Sequence, residues 1–148
     1  MIRTIKLVLA LISLLIGSLI YILWRPETLI IFAWFDNIGA TNIITSLRKT
    51  IGVFPPFLPL WMLYSFPNAL WVFTGIFILG CIWEKNLARG SVFWIGVFLL
   101  IAFGSEIGQF LRIVPGVFCW GDMTTMGIAA LVGIFAIMKT KNREIPHA

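Results

Sequence analysis

The sequence predicts an all-α integral membrane protein, a single membrane domain formed by a bundle of about four transmembrane helices. Apolar residues make up 60% of the 148 residues and charged residues only 11%. A soluble domain is about half apolar and about a quarter charged. Mean hydropathy is +1.01, and four apolar runs are long enough to cross a bilayer. The expected partner of most of the surface is therefore the lipid bilayer.

The charge and the cysteines exclude several other classes of protein. The net charge of +5 comes from basic residues that lie in pairs beside apolar runs, without interleaved aromatic residues. Such placement is typical of membrane orientation and not of nucleic-acid binding. Cys81 and Cys119 form neither a disulfide framework nor a zinc-binding spacing. We expect no metal and no cofactor.

The four apolar runs predict transmembrane helices at residues 5–24, 66–83, 91–113 and 122–138. The first run begins like a signal peptide, but it is too long for one and no small-residue cleavage site follows it. In the second run, Pro67 suits a first helical turn and Ser65 is a candidate N-cap. The third and fourth runs flank a tight turn at residues 114–121, and residues 139–148 form a basic tail.

Residues 28–60 are the least regular part of the chain. The segment between residues 42 and 51 places its apolar residues on one side of a helix and its basic residues elsewhere; the apolar ones are Ile43, Ile44, Leu47 and Ile51. That spacing suits a short interfacial helix with Arg48 and Lys49 directed towards lipid headgroups. An irregular loop or a re-entrant segment remains an alternative for this region.

The distribution of basic residues predicts the orientation. With the amino terminus inside, the basic residues on the cytoplasmic side are Arg3, Lys6, Lys85, Arg89, Lys139, Lys141 and Arg143, and those outside are Arg25, Arg48, Lys49 and Arg112. This bias has the sign that the positive-inside rule requires. Both termini are therefore expected in the cytoplasm, with the turn at residues 114–121 outside.

A polar group in the second half of the chain is the candidate site. Glu106, Gln109 and Arg112 are three residues apart on the third helix, and Asn68 and Asp122 open the second and fourth helices. All five are expected in the outer leaflet, where ionisable residues are costly and usually functional. We predict that they bind a ligand.

Structural explanations exist for the same residues. Asp122 can be the N-cap of the fourth helix, and Glu106 can pair with Gln109 or Arg112 to hold helices together. No nucleophile–histidine pair, phosphate-binding loop or metal spacing is present in the sequence. If the protein is an enzyme, Glu106 and Asp122 are the candidate acid–base pair that the sequence offers.

Two pairs of small residues predict where helices approach each other. Gly104 and Gly108 are four apart, as are Ala129 and Gly133. Small-xxx-small spacing permits close backbone contact between membrane helices. We expect the third and fourth helices to pack tightly, or these residues to contact a membrane-protein partner or a second copy of the chain.

The sequence 106–109, the short turn after it, Phe118, Asp122 and Gly133 resemble the second half of VanZ-like membrane proteins. Asn68, at the start of an apolar helix, is similar to the asparagine in that family's first half. The resemblance covers about residues 66–133. It implies a small helical bundle in a bacterial cytoplasmic membrane, in a family associated with glycopeptide antibiotic resistance. The positions carried over are Asn68, Glu106, Gln109 and Asp122.

Three functions remain open from the sequence. The first is an outward-facing polar pocket that binds an envelope lipid headgroup or a glycopeptide-type ligand. The second is a membrane-embedded enzyme that uses Glu106 and Asp122 as acid and base. The third is an accessory subunit whose polar residues hold helices together or contact a partner.

Overall fold

The computed structural model describes residues 2–51, 59–83 and 90–142. In this part of the chain the protein is entirely helical, as predicted, and has no strand. The helices are α1 (Ile2–Trp24), α2 (Ile30–Asn37), α3 (Thr41–Ile51), α4 (Leu60–Tyr64), α5 (Phe66–Ile82), α6 (Gly90–Phe110) and α7 (Trp120–Asn142). Residues 52–58, 84–89 and 143–148 lie outside the described residues; of the predicted tail at 139–148, the described part continues α7 to Asn142.

Within the described residues, four helical stretches are long and apolar enough to cross a membrane. They are Arg3–Trp24, Trp61–Ile82, Gly90–Phe110 and Trp120–Lys139. Only Ser65 separates α4 from α5, so these two helices together make the second span. Large apolar side chains cover the outer surfaces of the spans, which is the surface that lipid requires. The fold class and the contact with a bilayer are thus confirmed.

Helix α5 is the centre of the bundle. It packs extensively against α1 and α7 and less extensively against α6, whereas α6 and α7 touch each other only slightly. The buried apolar residues lie between α5 and α7: Val72, Ile76, Met126, Ala130 and Ile137. The prediction that the third and fourth spans pack tightly on each other is therefore wrong, because each of them packs on α5 instead.

Glycines at the α5 interfaces explain this arrangement. A Cβ at Gly75 would clash with the ring of Phe98 on α6, and one at Gly80 would clash with Ile137 on α7. On α7, a Cβ at Gly133 would lie 3.2 Å from Ile76. In a bilayer, small residues of this kind let helices approach and gain packing contacts.

The small residues singled out in the sequence have other roles. Gly104 is exposed, and no atom lies within 4 Å of where its Cβ would be. Gly108 is buried against Val114 of its own turn, and Gly133 against α5. Because Gly108 and Gly133 are used within the chain, they are not available to a partner or a second copy. Ala129 is half-buried.

Helix α1 is joined to α5 by small and polar residues. Ala10 is 1% exposed, and its carbonyl accepts a buried hydrogen bond from Oγ1 of Thr74 at 3.1 Å. Gly17 is buried beneath Trp71, whose Nε1 would lie 3.1 Å from a Cβ at that position. The first apolar run is thus part of the bundle core.

The described residues of the segment between the first two spans include two helices, α2 and α3. α2 carries Asp36, whose Oδ1 accepts a hydrogen bond of 3.0 Å from Oγ1 of Thr41 at the start of α3. On α3, Ile44 is buried, while Ile43 and Lys49 are exposed. The described residues of this segment therefore form an amphipathic helix, as one of the alternatives predicted.

Arg48 does not point towards lipid headgroups as expected. Its guanidinium donates to the carbonyl oxygen of Ile22 at 2.7 Å, to the carbonyl of Arg25 and to Oε1 of Glu27 at 3.0 Å. The ring of Phe32 lies 4.6 Å from the guanidinium carbon. A helix leaves its last carbonyls unpaired and partly negative. Arg48 satisfies one of these in α1, that of Ile22, together with the carbonyl of Arg25 just after the helix, which explains why α3 is attached there.

Candidate functional site

Polar side chains from three helices meet at the end of the bundle where α1 and α6 finish and α7 begins. We call Ser65, Asn68, Glu106 and Asp122 the carboxylate cluster. Their side chains are buried or half-buried, and Arg25 at the end of α1 lies beside them. The sequence reasoning had proposed Asn68, Glu106 and Asp122 as site residues, and the fold places all three here.

Asp122 is the third residue of α7 and only 6% exposed. Its Oδ2 accepts a hydrogen bond of 2.9 Å from Nδ2 of Asn68 on α5. It is not the N-cap, because α7 begins at Trp120 and the backbone N–H of Asp122 already donates to the carbonyl of Cys119 at 3.0 Å. Its charge still suits the positive end of the helix dipole. The carboxylate is therefore directed to the interior of the bundle.

Glu106 lies on α6, four residues before the helix ends, and is 5% exposed. The backbone of Cys119 makes a hydrogen bond to its carboxyl group, and Asp122 and Arg25 are within electrostatic range of it. From the rise per residue, Glu106 is about 6 Å below the end of α6. A helix continuing to residue 113, as the sequence predicts, would have put Glu106 about 10 Å below its end. Glu106 is thus closer to the membrane surface than expected.

Ser65 occupies the break between α4 and α5 and is fully buried. It stands at the N-cap position of α5, as predicted, but its backbone is in the right-handed helical region (φ −98°, ψ −30°) and its side chain makes no capping hydrogen bond. Its carbonyl accepts from Oγ1 of Thr125 at 3.3 Å. A Cβ at Gly121 would lie 2.8 Å from Oγ of Ser65. This glycine therefore allows α7 to approach the α4–α5 break.

Several polar atoms of this region are buried without a hydrogen-bond partner in the described part of the chain. They are Oε2 of Glu106, Oδ1 of Asp122, Oγ of Ser65 and Nε of Arg25. A buried polar group without a partner costs about 1–3 kcal/mol, and more when it is charged. Three of these atoms are oxygens, and buried oxygens without a partner are unusual, because nearly all buried polar groups in proteins are paired. The arrangement has the chemistry of a site that accepts hydrogen bonds.

Gln109 and Arg112 do not join the cluster. The side chain of Gln109 packs over Gly116, which has a φ of +143° and where a Cβ would lie 2.6 Å from Cδ of Gln109. Arg112 is exposed. Neither residue forms a hydrogen bond or ion pair with Glu106 among the described residues, so the structural pairings considered from the sequence are absent there.

The reason is that α6 ends at Phe110 and not at Ile113. The N–H of Ile113 donates to the carbonyl of Gly108 at 2.8 Å, and that of Arg112 to the carbonyl of Gln109 at 3.0 Å. These two bonds form a Schellman motif, in which Arg112 takes the left-handed position with φ +58°. Because the helix stops here, Arg112 no longer lies on the same face as Glu106.

Sequence reasoning missed Arg25 as a neighbour of the cluster. Its Nη2 donates to the carbonyl of Tyr64 at 2.8 Å, and the guanidinium carbon lies 5.3 Å and 5.0 Å from the rings of Tyr21 and Tyr64. The available signal was its position at the end of the first apolar run. The predicted topology puts that end on the same side of the membrane as Asp122.

The carboxylate cluster lies at the seam between α6 and α7. Glu106 belongs to α6 and Asp122 to α7, and the two helices make few direct contacts. Both helices pack on α5, and α5 contributes Asn68 to the cluster. The cluster thus lies where α6 and α7 come together on α5, with Glu106 and Asp122 only 5% and 6% exposed.

Among the described residues, no group of three or more His, Cys, Asp or Glu side chains is placed to hold a metal ion. Comparison of the chain with protein-family models, characterised proteins and solved structures gives no match.

Proposed function

We propose that this small multi-pass membrane protein binds a polar lipid headgroup in its carboxylate cluster, at the outer face of a bacterial cytoplasmic membrane. One observation carries the proposal: Glu106, Asp122 and Ser65 each keep a buried oxygen without a partner. A bound headgroup that donates hydrogen bonds would satisfy these oxygens and recover part of their desolvation cost.

The position of the cluster supports a lipid ligand. Glu106 is about one helical turn from the end of α6, the depth at which headgroups meet the hydrocarbon. The seam between α6 and α7, where the two helices make few direct contacts, is the route by which we propose that a lipid reaches the cluster from the bilayer. A ligand on this route would meet Glu106 of α6 and Asp122 of α7.

The outward orientation follows from the positive-inside rule and is part of the proposal. The chain offers a direct test, because Cys119 beside the cluster is exposed while Cys81 is buried. A membrane-impermeant maleimide should label Cys119 in intact cells. Labelling that requires broken cells, and that Cys119→Ser abolishes, would place the cluster on the cytoplasmic side.

We also propose a relationship to VanZ-like proteins. Its support is that three of the residues on which the resemblance depends lie together in the carboxylate cluster: Asn68, Glu106 and Asp122. Asn68 and Asp122 are joined by a hydrogen bond of 2.9 Å. The turn between Glu106 and Asp122 contributes the backbone of Cys119 to the same place.

The test of headgroup binding compares two Glu→Gln variants at the same end of the protein. Glu106→Gln removes a buried carboxylate, whereas Glu27→Gln removes an exposed one that pairs with Arg48. Each full-length protein is purified from native membranes in a mild detergent, and the retained lipids are quantified by mass spectrometry. We expect Glu106→Gln to fold normally and to lose about tenfold or more of the retained lipid, the equivalent of one charge-assisted hydrogen bond.

Glu27→Gln should retain lipid as the unmodified protein does, because its carboxylate is outside the cluster. The thermal stability of Glu106→Gln should equal or exceed that of the unmodified protein, since the amide removes a buried charge. A stable Glu106→Gln protein that retains the same lipids in the same amounts would overturn the proposed function.

A further inference from the structure

The unpaired atoms of the carboxylate cluster differ in chemical type from those of an anion site. Oε2 of Glu106 and Oδ1 of Asp122 can only accept hydrogen bonds when the carboxyl groups are ionised. The two residues are only 5% and 6% exposed. Oγ of Ser65, with a residue exposure of 0%, adds a third acceptor from the break between α4 and α5. A ligand that completes this set must donate several hydrogen bonds and carry positive charge.

The donors already present do not complete the set. Asn68 donates to Oδ2 of Asp122 at 2.9 Å and leaves Oδ1 free. The backbone of Cys119 makes one hydrogen bond to Glu106 and leaves Oε2 free. Arg25 is near, but it donates to the carbonyl of Tyr64 and no ion pair joins it to Glu106 or Asp122 in the part of the chain that the structure describes. Two carboxylates therefore share one buried place without a paired cation.

We propose that the carboxylate cluster is a binding site for a primary ammonium group, which in the membrane belongs to a phosphatidylethanolamine-type headgroup. This inference rests on the proposed function and names the chemical class of its ligand. An ammonium has three N–H donors, equal in number to the unpaired oxygens of Glu106, Asp122 and Ser65. Its single positive charge offsets one of the two buried carboxylates.

Arg25 fits the other half of the same headgroup. Its Nε is buried and has no acceptor among the described residues, and its charge lies within range of Glu106. In phosphatidylethanolamine the phosphate is two carbons from the ammonium. If the phosphate accepts a hydrogen bond from Arg25 while the ammonium donates one to Glu106, the headgroup pairs both the unpaired donor and the unpaired acceptors of this region.

Methylation of the ammonium separates this inference from general headgroup binding. A quaternary ammonium keeps the positive charge but has no N–H donor, so it cannot pair with the three oxygens. Delipidated full-length protein in a non-ionic detergent is mixed with phosphatidylethanolamine, phosphatidylcholine or phosphatidylglycerol of matched acyl chains. Bound lipid is then measured by native mass spectrometry.

We expect phosphatidylethanolamine to be retained about tenfold more than phosphatidylcholine, since the latter forfeits charge-assisted hydrogen bonds. Glu106→Gln should reduce this preference to about twofold or less, while Glu27→Gln should keep it in full. Ser65→Ala, which removes one of three acceptors and no charge, should reduce the preference to an intermediate value.

The possible failures are distinguishable. Equal retention of phosphatidylethanolamine and phosphatidylcholine, with both lost in Glu106→Gln, would overturn the ammonium inference and leave headgroup binding in place. Equal retention in the unmodified protein and in Glu106→Gln would overturn both.

A competition with free ethanolamine identifies the source of the ammonium. If millimolar ethanolamine leaves phosphatidylethanolamine bound, the lipid is the ligand, as proposed. If ethanolamine alone stabilises the unmodified protein, fails to stabilise Glu106→Gln, and the lipid shows no preference, ammonium binding holds and the lipid source is overturned.

Discussion

Two polar regions lie near the same end of this bundle, and they differ in how completely their charges are paired. Around Arg48, the guanidinium donates to two carbonyls at the end of α1 and to Glu27. In the carboxylate cluster, Glu106 and Asp122 are more buried than Arg48, yet each keeps an oxygen without a partner. The carboxylate cluster, whose groups cost more to bury, therefore has fewer of its hydrogen bonds formed than the region around Arg48.

The difference separates structural polar residues from a candidate site. Arg48 completes the end of a helix, and every contact it makes is within the chain. Buried groups that remain unpaired lower the stability of the folded chain by about 1–3 kcal/mol each. Such groups are common where a ligand completes the hydrogen bonding. Loss of a polar group should therefore have opposite effects on stability in the two regions.

The largest expected effect is that of Arg48→Ala. Loss of the guanidinium leaves the carbonyls of Ile22 and Arg25 without their donor and detaches α3 from α1. We expect the free energy of unfolding to fall by about 3 kcal/mol, because hydrogen bonds from a charged donor are among the stronger ones. Denaturation in detergent, followed by circular dichroism, measures the change.

The control for this variant is Lys49→Ala, the adjacent exposed cation, which should change stability by no more than about 0.5 kcal/mol. If Arg48→Ala were as stable as Lys49→Ala, the arginine would not be attaching α3 to α1, and the contrast between the two regions would disappear.

A smaller effect of opposite sign is expected for Ser65→Ala. The hydroxyl oxygen is fully buried without a partner, so its removal should leave stability unchanged or raise it by about 1 kcal/mol in the lipid-free protein. Ser46→Ala on α3 is the matched control, because Ser46 is exposed. A clear loss of stability in Ser65→Ala alone would mean that its hydroxyl is paired, and would weaken the case for a site.

The smallest effect is expected for Arg112→Gly. Arg112 takes the left-handed position of the Schellman motif with φ +58°, a conformation that costs an L-residue about 1 kcal/mol and a glycine little. Thermal unfolding should show a gain of up to about 1 kcal/mol, with lipid retention unchanged. Arg112→Ala keeps the Cβ and should show no gain.

If Arg112→Gly and Arg112→Ala were equally stabilised, the cause would be the lost charge and not the backbone conformation. If either variant lost lipid retention, Arg112 would belong to the binding site as the sequence had suggested, and the boundary of the carboxylate cluster would have to include the turn after α6.

Much of the carboxylate cluster was predictable from the sequence. Glu106 stood out because a carboxylate in an apolar run is costly, and Asn68 and Asp122 because they open apolar helices at the same predicted depth. Gln109 and Arg112 were included only because an uninterrupted helix would have aligned them with Glu106. The Schellman motif ends that helix early, and a non-glycine residue at its left-handed position gives no signal in the sequence.

The sequence by itself determined that this is a membrane protein with four apolar spans and a group of polar residues near one end of them. Hydropathy and charge are properties of segments and do not depend on which helices pack together. Only the tertiary structure decided that α5 is the central helix and that α6 and α7 barely touch. Small residues mark places where helices can approach but not which helix does so: Gly75 and Gly80 receive side chains from α6 and α7, while Gly104 faces no neighbour. The pairing of Arg48 with the end of α1 was likewise decided by tertiary structure, because its acceptors are backbone carbonyls 23 and 26 residues away.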